Sequence, residues 1–203
     1  MEENKGVYLL YLVADNVFRY EIAVKPNMTE KELNFHTSAF VGEPLPNDWA
    51  LPEHKAAFSR KPLCDFIFGH ENAPYISNYA MNCLLPIVSE HVEFRSIGFV
   101  KKVPYFVMNV TRVIDCLDLN KSQIFTNSIG QTKVWSAIFG IGIEKGIAIF
   151  KVPQDYGWIF VNDVFVQTIR NCGITGVGFE KPENPGFAIR NNAFDDLPRI
   201  FRQ

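Results

Sequence analysis

The sequence predicts an α+β domain with a mixed, largely antiparallel sheet and a few packed helices. Apolar runs rich in β-branched and aromatic residues indicate strands at 7–13, 104–110 and 157–161. Two helix signatures lie between strand-like runs, one beginning at Ser77 and one at Asn162. With 203 residues, of which 47% are hydrophobic and 21% charged, the chain can bury one sizeable core. We therefore expect a single globular domain with an N-terminal hairpin region.

Three regions are expected along the chain. Residues 1–62 hold a strand hairpin and a proline-rich connecting loop, residues 63–180 the α+β core, and residues 181–203 a peripheral extension. The hairpin is expected because strand-like runs at 7–13 and 17–24 flank a short polar turn. The loop is expected because prolines recur after that hairpin and interrupt regular structure.

Two helices are expected in the core. Ser77 is placed to cap the first, and Pro86 is expected to end or kink it. Its apolar residues are expected to form one broad face: Tyr79, Met81, Leu84, Leu85 and Val88. Asn162 or Asp163 is placed to cap the second helix, and Gly173 to end it. Its expected core residues are Phe165, Val166, Ile169 and Cys172.

Further strands are expected at 91–100, 104–110, 140–150 and 157–161. The run at 104–110 is apolar on both faces, which is typical of a strand in the interior of a sheet. The glycines of residues 140–146 are similar to a dinucleotide-binding turn, but their spacing is GxGxxxG and a strand-like run follows. We therefore expect a glycine-rich hairpin there and no cofactor.

Charge and cysteine content exclude several classes of protein. The formal net charge is -2 and the sequence has no basic stripe, so nucleic acid is not an expected partner. The four cysteines match no zinc spacing and are expected to be scattered thiols in a reducing compartment. Glu2 and Glu3 do not fit a secretory signal, and no apolar run is long enough for a membrane span. A cytoplasmic location is expected.

Candidate catalytic groups are sparse. The four histidines show no metal-ligand spacing, so no metal site is expected. Cys64 with Asp65, His70 and Glu71 is the one set that could combine a nucleophile with acid-base groups. Closeness in sequence does not orient these groups, and no catalytic residue is expected.

Asp115 and Asp118 admit two interpretations. Carboxylates three residues apart can bind a metal or share a proton on a helical turn. The favoured interpretation is that Asp118 starts a turn by accepting backbone N–H bonds, while Arg112 pairs with Asp115.

The order of several short motifs along the chain resembles a known family. These motifs are an aspartate before a capping serine, an aromatic strand leading to an arginine and a DxLD turn, and a final GxTGxxF segment. The positions that carry the resemblance are Asp65, Ser77, Tyr105, Asn109, Arg112, Asp115, Asp118, Gly173, Thr175, Gly176 and Phe179. The family is the eleventh group of numbered immunity proteins from bacterial polymorphic toxin systems, and the resemblance extends over about residues 63–180.

The resemblance implies a cytoplasmic protein that neutralises a cognate toxin by stoichiometric binding, without catalysis, the toxin being encoded by the adjacent gene. Such inhibitors bind through a few aromatic and arginine anchors. Trp49, in the proline-rich loop, is the candidate partner contact, although each tryptophan can equally fill the core. The sequence leaves two alternatives open, a small cytoplasmic thiol or acid-base hydrolase and an obligate subunit of a regulatory complex.

Overall fold

The computed structural model describes residues 6–13, 19–22, 40–49, 54–57, 62–70, 73–127, 130–140, 143–144 and 146–185. In these ranges the chain forms twelve strands and two helices. The strands are β1 (Val7–Leu12), β2 (Arg19–Ile22), β3 (His54–Ala57), β4 (Phe66–His70), β5 (Ala73–Ser77), β6 (Val92–Val100), β7 (Val103–Val110), β8 (Gln123–Thr126), β9 (Thr132–Ser136), β10 (Ile149–Val152), β11 (Asp155–Asn162) and β12 (Val177–Glu180). The helices are α1 (Asn78–Val88) and α2 (Asp163–Asn171).

The strands form three sheets. One has four antiparallel strands in the order β10-β11-β1-β12, and one is the β8-β9 pair. The third has the order β3-β2-β4-β5-β7-β6, and only its β2-β4 pairing is parallel. The α+β class with largely antiparallel pairing is confirmed. Its strands are divided among three sheets, whereas one sheet was expected.

The expected N-terminal hairpin is wrong. β1 lies between β11 and β12, with Leu9 opposite both Phe160 and Glu180, while β2 pairs with β3 and β4. Leu9 and Leu10 are both buried, and they contribute to two different core clusters. A strand that is apolar on both faces is stabilised best inside a sheet, so the long-range pairing prevails over the neighbouring strand.

The central core lies where the two larger sheets meet the helices. α1 and α2 contact each other, and buried residues from both sheets pack against them. Its largest contributors include Phe66, Ile76, Leu84, Met108, Ile149, Val161, Phe165 and Ile169. This shared cluster joins the two larger sheets into one body, because neither sheet could bury that face alone.

Each larger sheet has a second buried face. On the four-stranded sheet, Phe150 and Phe160 pack with Val134 and Phe139 from the segment around β9. On the six-stranded sheet, Tyr75, Tyr105 and Val107 pack with Phe40, Leu45 and Trp49. Residues 40–49 are therefore a packed loop, as predicted. The prediction of a continuous loop to residue 62 is wrong at His54–Ala57, which forms β3.

The predicted caps of both helices are confirmed. Ser77 Oγ accepts a hydrogen bond from Ala80 N (3.1 Å), and Asn162 Oδ1 accepts one from Phe165 N (3.0 Å). The predicted apolar face of α1 is wrong at Tyr79 and Leu85, which are exposed. The buried residues of α1 recur every four positions: Ala80, Leu84 and Val88. α1 also continues through Pro86 to Val88.

The strand predictions are correct for β6, β7 and β11. β7 lies between β5 and β6, inside the sheet, as its apolar pattern predicts. In the glycine-rich segment the prediction of strand structure is wrong, because residues 140, 143–144 and 146–148 form no strand and β10 begins at Ile149. Residues 186–203, most of the expected extension, lie outside the described residues. Within the part of the chain that the structure describes, neither helix is long and apolar enough to cross a membrane.

Candidate functional site

Asp65, Ser77 and Thr175 form a hydrogen-bonded group, which we term the Asp65 cluster. One carboxylate oxygen of Asp65 accepts from Ser77 Oγ (2.8 Å), and the other accepts from Thr175 Oγ1 (2.9 Å) and Thr175 N (3.0 Å). Asp65 N donates in turn to Thr175 Oγ1 (3.1 Å), and Ser77 N donates to Asp65 O (2.8 Å). The cluster therefore links three segments: the chain before β4, the start of α1 and the turn after α2.

Two further residues that carry the family resemblance surround this cluster. Tyr105 Oη donates a hydrogen bond to the carbonyl oxygen of Cys64, and burial raises the pKa of Tyr105. Gly176 has a φ of +88°, and a Cβ built on it would lie 2.2 Å from the carbonyl oxygen of Phe66. Phe66 N also donates to Thr175 O (2.9 Å). The backbones of residues 64–66 and 175–176 are thus in close contact.

The other residues of the GxTGxxF motif are Gly173, which follows α2, and Phe179, which lies on β12. Gly173 follows the C-cap of α2 with a φ of +62°, and Ile174 N donates to Ile169 O (3.0 Å). Phe179 packs edge to face on Phe165, with ring centroids 6.3 Å apart. The GxTGxxF segment therefore ends α2, contacts Asp65 and returns the chain to the sheet as β12.

Replacing Asp65 with alanine is expected to lower the free energy of unfolding by about 2–3 kcal/mol, since the Ser77 hydroxyl and the Thr175 N–H lose a charged acceptor. Asp65→Asn is the matched control, because it keeps the size and one acceptor oxygen and should lose less. Urea unfolding of the three proteins measures both differences. An Asp65→Ala midpoint equal to the wild-type midpoint would contradict a structural role for the cluster.

A second polar network, which we term the loop clasp, consists of Glu93, Arg95 and Asn109. Glu93 Oε2 accepts from Leu45 N (2.7 Å) and Asn109 Nδ2 (3.2 Å), and Glu93 Oε1 pairs with Arg95 Nε (2.7 Å). Arg95 also donates to the carbonyl oxygens of Pro46 (2.8 Å) and Leu45 (2.7 Å). Desolvation opposes ionisation of Glu93, but these hydrogen bonds and Arg95 together lower its pKa. The network holds residues 40–49 against β6 and β7.

The prediction for Asp118 is confirmed, and the prediction for Asp115 is wrong. Asp118 Oδ1 accepts from Asn120 N (3.0 Å), which gives the expected turn. Arg112 pairs with Glu144 (3.3 Å), while Asp115 accepts from Gln154 Nε2 (2.7 Å). Among the residues that the structure describes, no group of acidic, histidine and cysteine side chains could hold a metal ion.

Lys151 on β10 is fully buried, a feature that the sequence analysis missed. Its Nζ donates to the carbonyl oxygen of Phe40 (2.9 Å), and desolvation lowers the Lys151 pKa to about 7, although Asp155 raises it in part. Asp155 is also buried, and it accepts from Val134 N (3.1 Å) and Lys133 Nζ (3.4 Å). A lysine inside a short apolar strand gives no separate signal in the sequence, which explains the omission.

The lowered pKa of Lys151 predicts that stability rises with pH. Above pH 7 the folded protein releases this proton, whereas the unfolded chain keeps it up to about pH 10.5, so the unfolded state binds more protons in this window. The free energy of unfolding should increase by about 2 kcal/mol from pH 7 to pH 9 through this residue. Lys151→Met should remove that increase. Equal pH dependence in the two proteins, measured by urea unfolding, would contradict the prediction.

Two members of the alternative catalytic set, Cys64 and Asp65, have described side chains. Burial raises the pKa of the Cys64 thiol, which disfavours the reactive thiolate, and the Asp65 carboxylate is engaged by Ser77 and Thr175. Glu71 and the side chain of His70 lie outside the described residues. The Asp65 carboxylate connects segments of the fold.

Trp49, the candidate partner contact, is buried, so of the two possibilities left open by the sequence it fills the core. Only 7% of the residue is accessible, and its ring packs edge to face on Phe40 with centroids 5.8 Å apart. The apolar residues of the proline-rich loop pack on the six-stranded sheet and cover a face that would otherwise be exposed. A contact between Trp49 and a partner stays a prediction, but the side chain lacks the exposure that such a contact requires.

Fold and site together define an α+β domain in which the polar clusters just described bind segments of the chain to one another. Residues 90–184 match the model of Imm11, an immunity protein family, and this match confirms the resemblance predicted from the sequence. The matched segment includes the predicted positions from Tyr105 to Phe179, whereas Asp65 and Ser77 precede it. No curated protein matches the chain.

Proposed function

We propose that this protein neutralises a cognate bacterial toxin by stoichiometric binding in the cytoplasm, without catalysis. The observation that carries the proposal is the match of residues 90–184 to the immunity family. An immunity role is what this match suggests in general terms. The proposal adds three statements to this general role. The toxin binds this protein directly, the adjacent gene encodes the toxin, and this protein catalyses no reaction.

Features of the site support binding over catalysis. The carboxylates of Asp65 and Glu93 each accept several hydrogen bonds from neighbouring segments, so they are held as structural acceptors. The Cys64 thiol has a raised pKa and is a poor nucleophile near neutral pH. A protein whose Asp65 and Glu93 carboxylates hold segments of its own chain together acts, in this proposal, by presenting a surface to a partner.

Co-expression with the product of the adjacent gene tests the proposal. The expected result is that cells expressing the toxin survive only with this protein, and that the two proteins co-purify. Survival without a complex would point to an enzyme that prevents or repairs damage. If the cells do not survive and no complex forms, the immunity proposal is overturned. If this protein is soluble only in the complex, an obligate subunit is favoured.

A further inference from the structure

The hairpin between β6 and β7 ends in an unusual turn. Val100 pairs with Val103, so the turn consists of Lys101 and Lys102 alone. Both have positive φ, at 47° and 72°, and they are the two non-glycine residues with this property in the described part of the chain. Two-residue hairpin turns of this kind favour Asn-Gly, because lysine is strained in the left-handed region. Strain of this kind concentrates at functional sites.

The same hairpin exposes a large aromatic side chain. Phe99 is 72% accessible, the largest value among the exposed large hydrophobic residues of the described chain. Its cross-strand neighbour is Pro104, and Val103 beside it is also exposed. The register shifts between Ser96 and Gly98, immediately before Phe99, and such bulges commonly redirect a side chain. The tip therefore combines an accessible aromatic ring with two exposed lysines.

The tip is held firmly at its base. Val100 is 2% accessible and Tyr105 is 1% accessible, and both belong to the core cluster under residues 40–49. The hydroxyl of Tyr105 also donates to Cys64 O. Because the residues on both sides of the turn are buried, its backbone is held in place, which lowers the backbone part of the entropic cost of binding a partner.

We infer that this tip, residues 99–103, is a toxin-binding anchor that fits an apolar pocket rimmed by carboxylates. This inference rests on the proposed function. Exposed aromatic residues that enter a pocket supply much of the energy of protein interfaces. The two lysines complement an acidic rim, and they provide local positive charge in a chain whose formal net charge is -2. The tip also lies within the segment that matches the immunity family.

Binding to the purified product of the adjacent gene, measured by calorimetry and by association kinetics, tests the inference. Phe99→Ser should raise Kd at least about thirtyfold. The double charge reversal K101E/K102E should slow association about tenfold at low salt. Leu119→Ser is the matched control, because Leu119 is 60% exposed in the same matched segment, and its Kd should equal the wild-type value.

The double variant K101N/K102G separates stability from binding. It relaxes the backbone and removes both charges, so its melting temperature should rise while its association slows. If the wild-type protein binds the toxin and every tip variant has the wild-type Kd and association rate, the inference is overturned and the immunity function stands. No binding by the wild-type protein would overturn both.

A lipid surface is the competing partner for an aromatic and cationic tip. Sedimentation with vesicles of phosphatidylserine and phosphatidylcholine distinguishes the two. Wild-type protein should remain in the supernatant. Sedimentation that depends on Phe99, together with a toxin Kd that does not, would overturn the inference in favour of a membrane contact.

Discussion

Gly176→Ala is expected to lower the free energy of unfolding by at least about 3 kcal/mol. Gly176 has a φ of +88°, where a Cβ is strained, and that Cβ would meet Phe66 O at 2.2 Å and Cys64 Cβ at 2.7 Å. The nearest obstacle is backbone, which cannot rotate away as a side chain can. The turn must therefore move, and the hydrogen bonds between Thr175 and Asp65 would be disrupted with it.

Gly173→Ala is the matched control for this prediction. Gly173 has a φ of +62°, but a Cβ at this position would have no neighbouring atom within 4 Å, so the substitution adds backbone strain alone. It should cost about 1–2 kcal/mol. Urea unfolding of both variants isolates the steric part as the difference between them. Equal losses of unfolding free energy in the two variants would show that the close approach of residues 64–66 to Gly176 does not add to the cost of the substitution.

Phe160→Ala is expected to destabilise the protein by about 3–5 kcal/mol. Phe160 on β11 is fully buried and contacts three aromatic rings: Phe139 at 5.2 Å, Phe150 at 5.4 Å and Trp158 at 5.9 Å between centroids. The substitution leaves a cavity in the cluster that joins the four-stranded sheet to the segment around β9. Thermal and urea unfolding measure the loss.

The exposed Phe99 provides the comparison for Phe160. Phe99→Ala removes the same atoms from a side chain that is 72% accessible, so the free energy of unfolding should change by less than about 0.5 kcal/mol. A large loss of unfolding free energy in Phe99→Ala would show that the hairpin tip stabilises the fold, and it would weaken the case for a binding role. A small loss in Phe160→Ala would contradict the packing of Phe160 in the cluster between the four-stranded sheet and the segment around β9.

Local signals in the sequence predicted local structure. Ser77 and Asn162 were recognisable as caps because a polar side chain preceded an apolar periodic run, and both accept the expected backbone N–H. The apolar run of β7 indicated a strand in the interior of a sheet. These features depend on residues within a few positions of each other, which is the range over which sequence patterns are informative.

Long-range pairing was not predictable in the same way. β1 pairs with strands about 150 or more residues later in the chain, although β2 is its nearest neighbour in sequence. β8 and β9 were missed because their runs are short and partly exposed. In the site, Lys151, Glu93 and Asp155 gave no motif, since their importance lies in burial and in partners that only the fold brings close.

The position of the Asp65 cluster shows what a resemblance can add. Asp65 and Thr175 are far apart in sequence, and nothing in their local context indicates that they bind each other. The resemblance names both as motif positions, and the structure places them in hydrogen-bonding contact, although Asp65 precedes the segment that matches the family. Their proposed part in the fold now depends on the Asp65 and Gly176 variants.

Titration of toxin activity with this protein tests the central claim most directly. The toxin is held well above the Kd, and increasing amounts of this protein are added. Stoichiometric binding predicts that activity falls linearly and reaches zero at about one molar equivalent, without dependence on incubation time. Inactivation by a small fraction of an equivalent that progresses with time would contradict the account and show turnover.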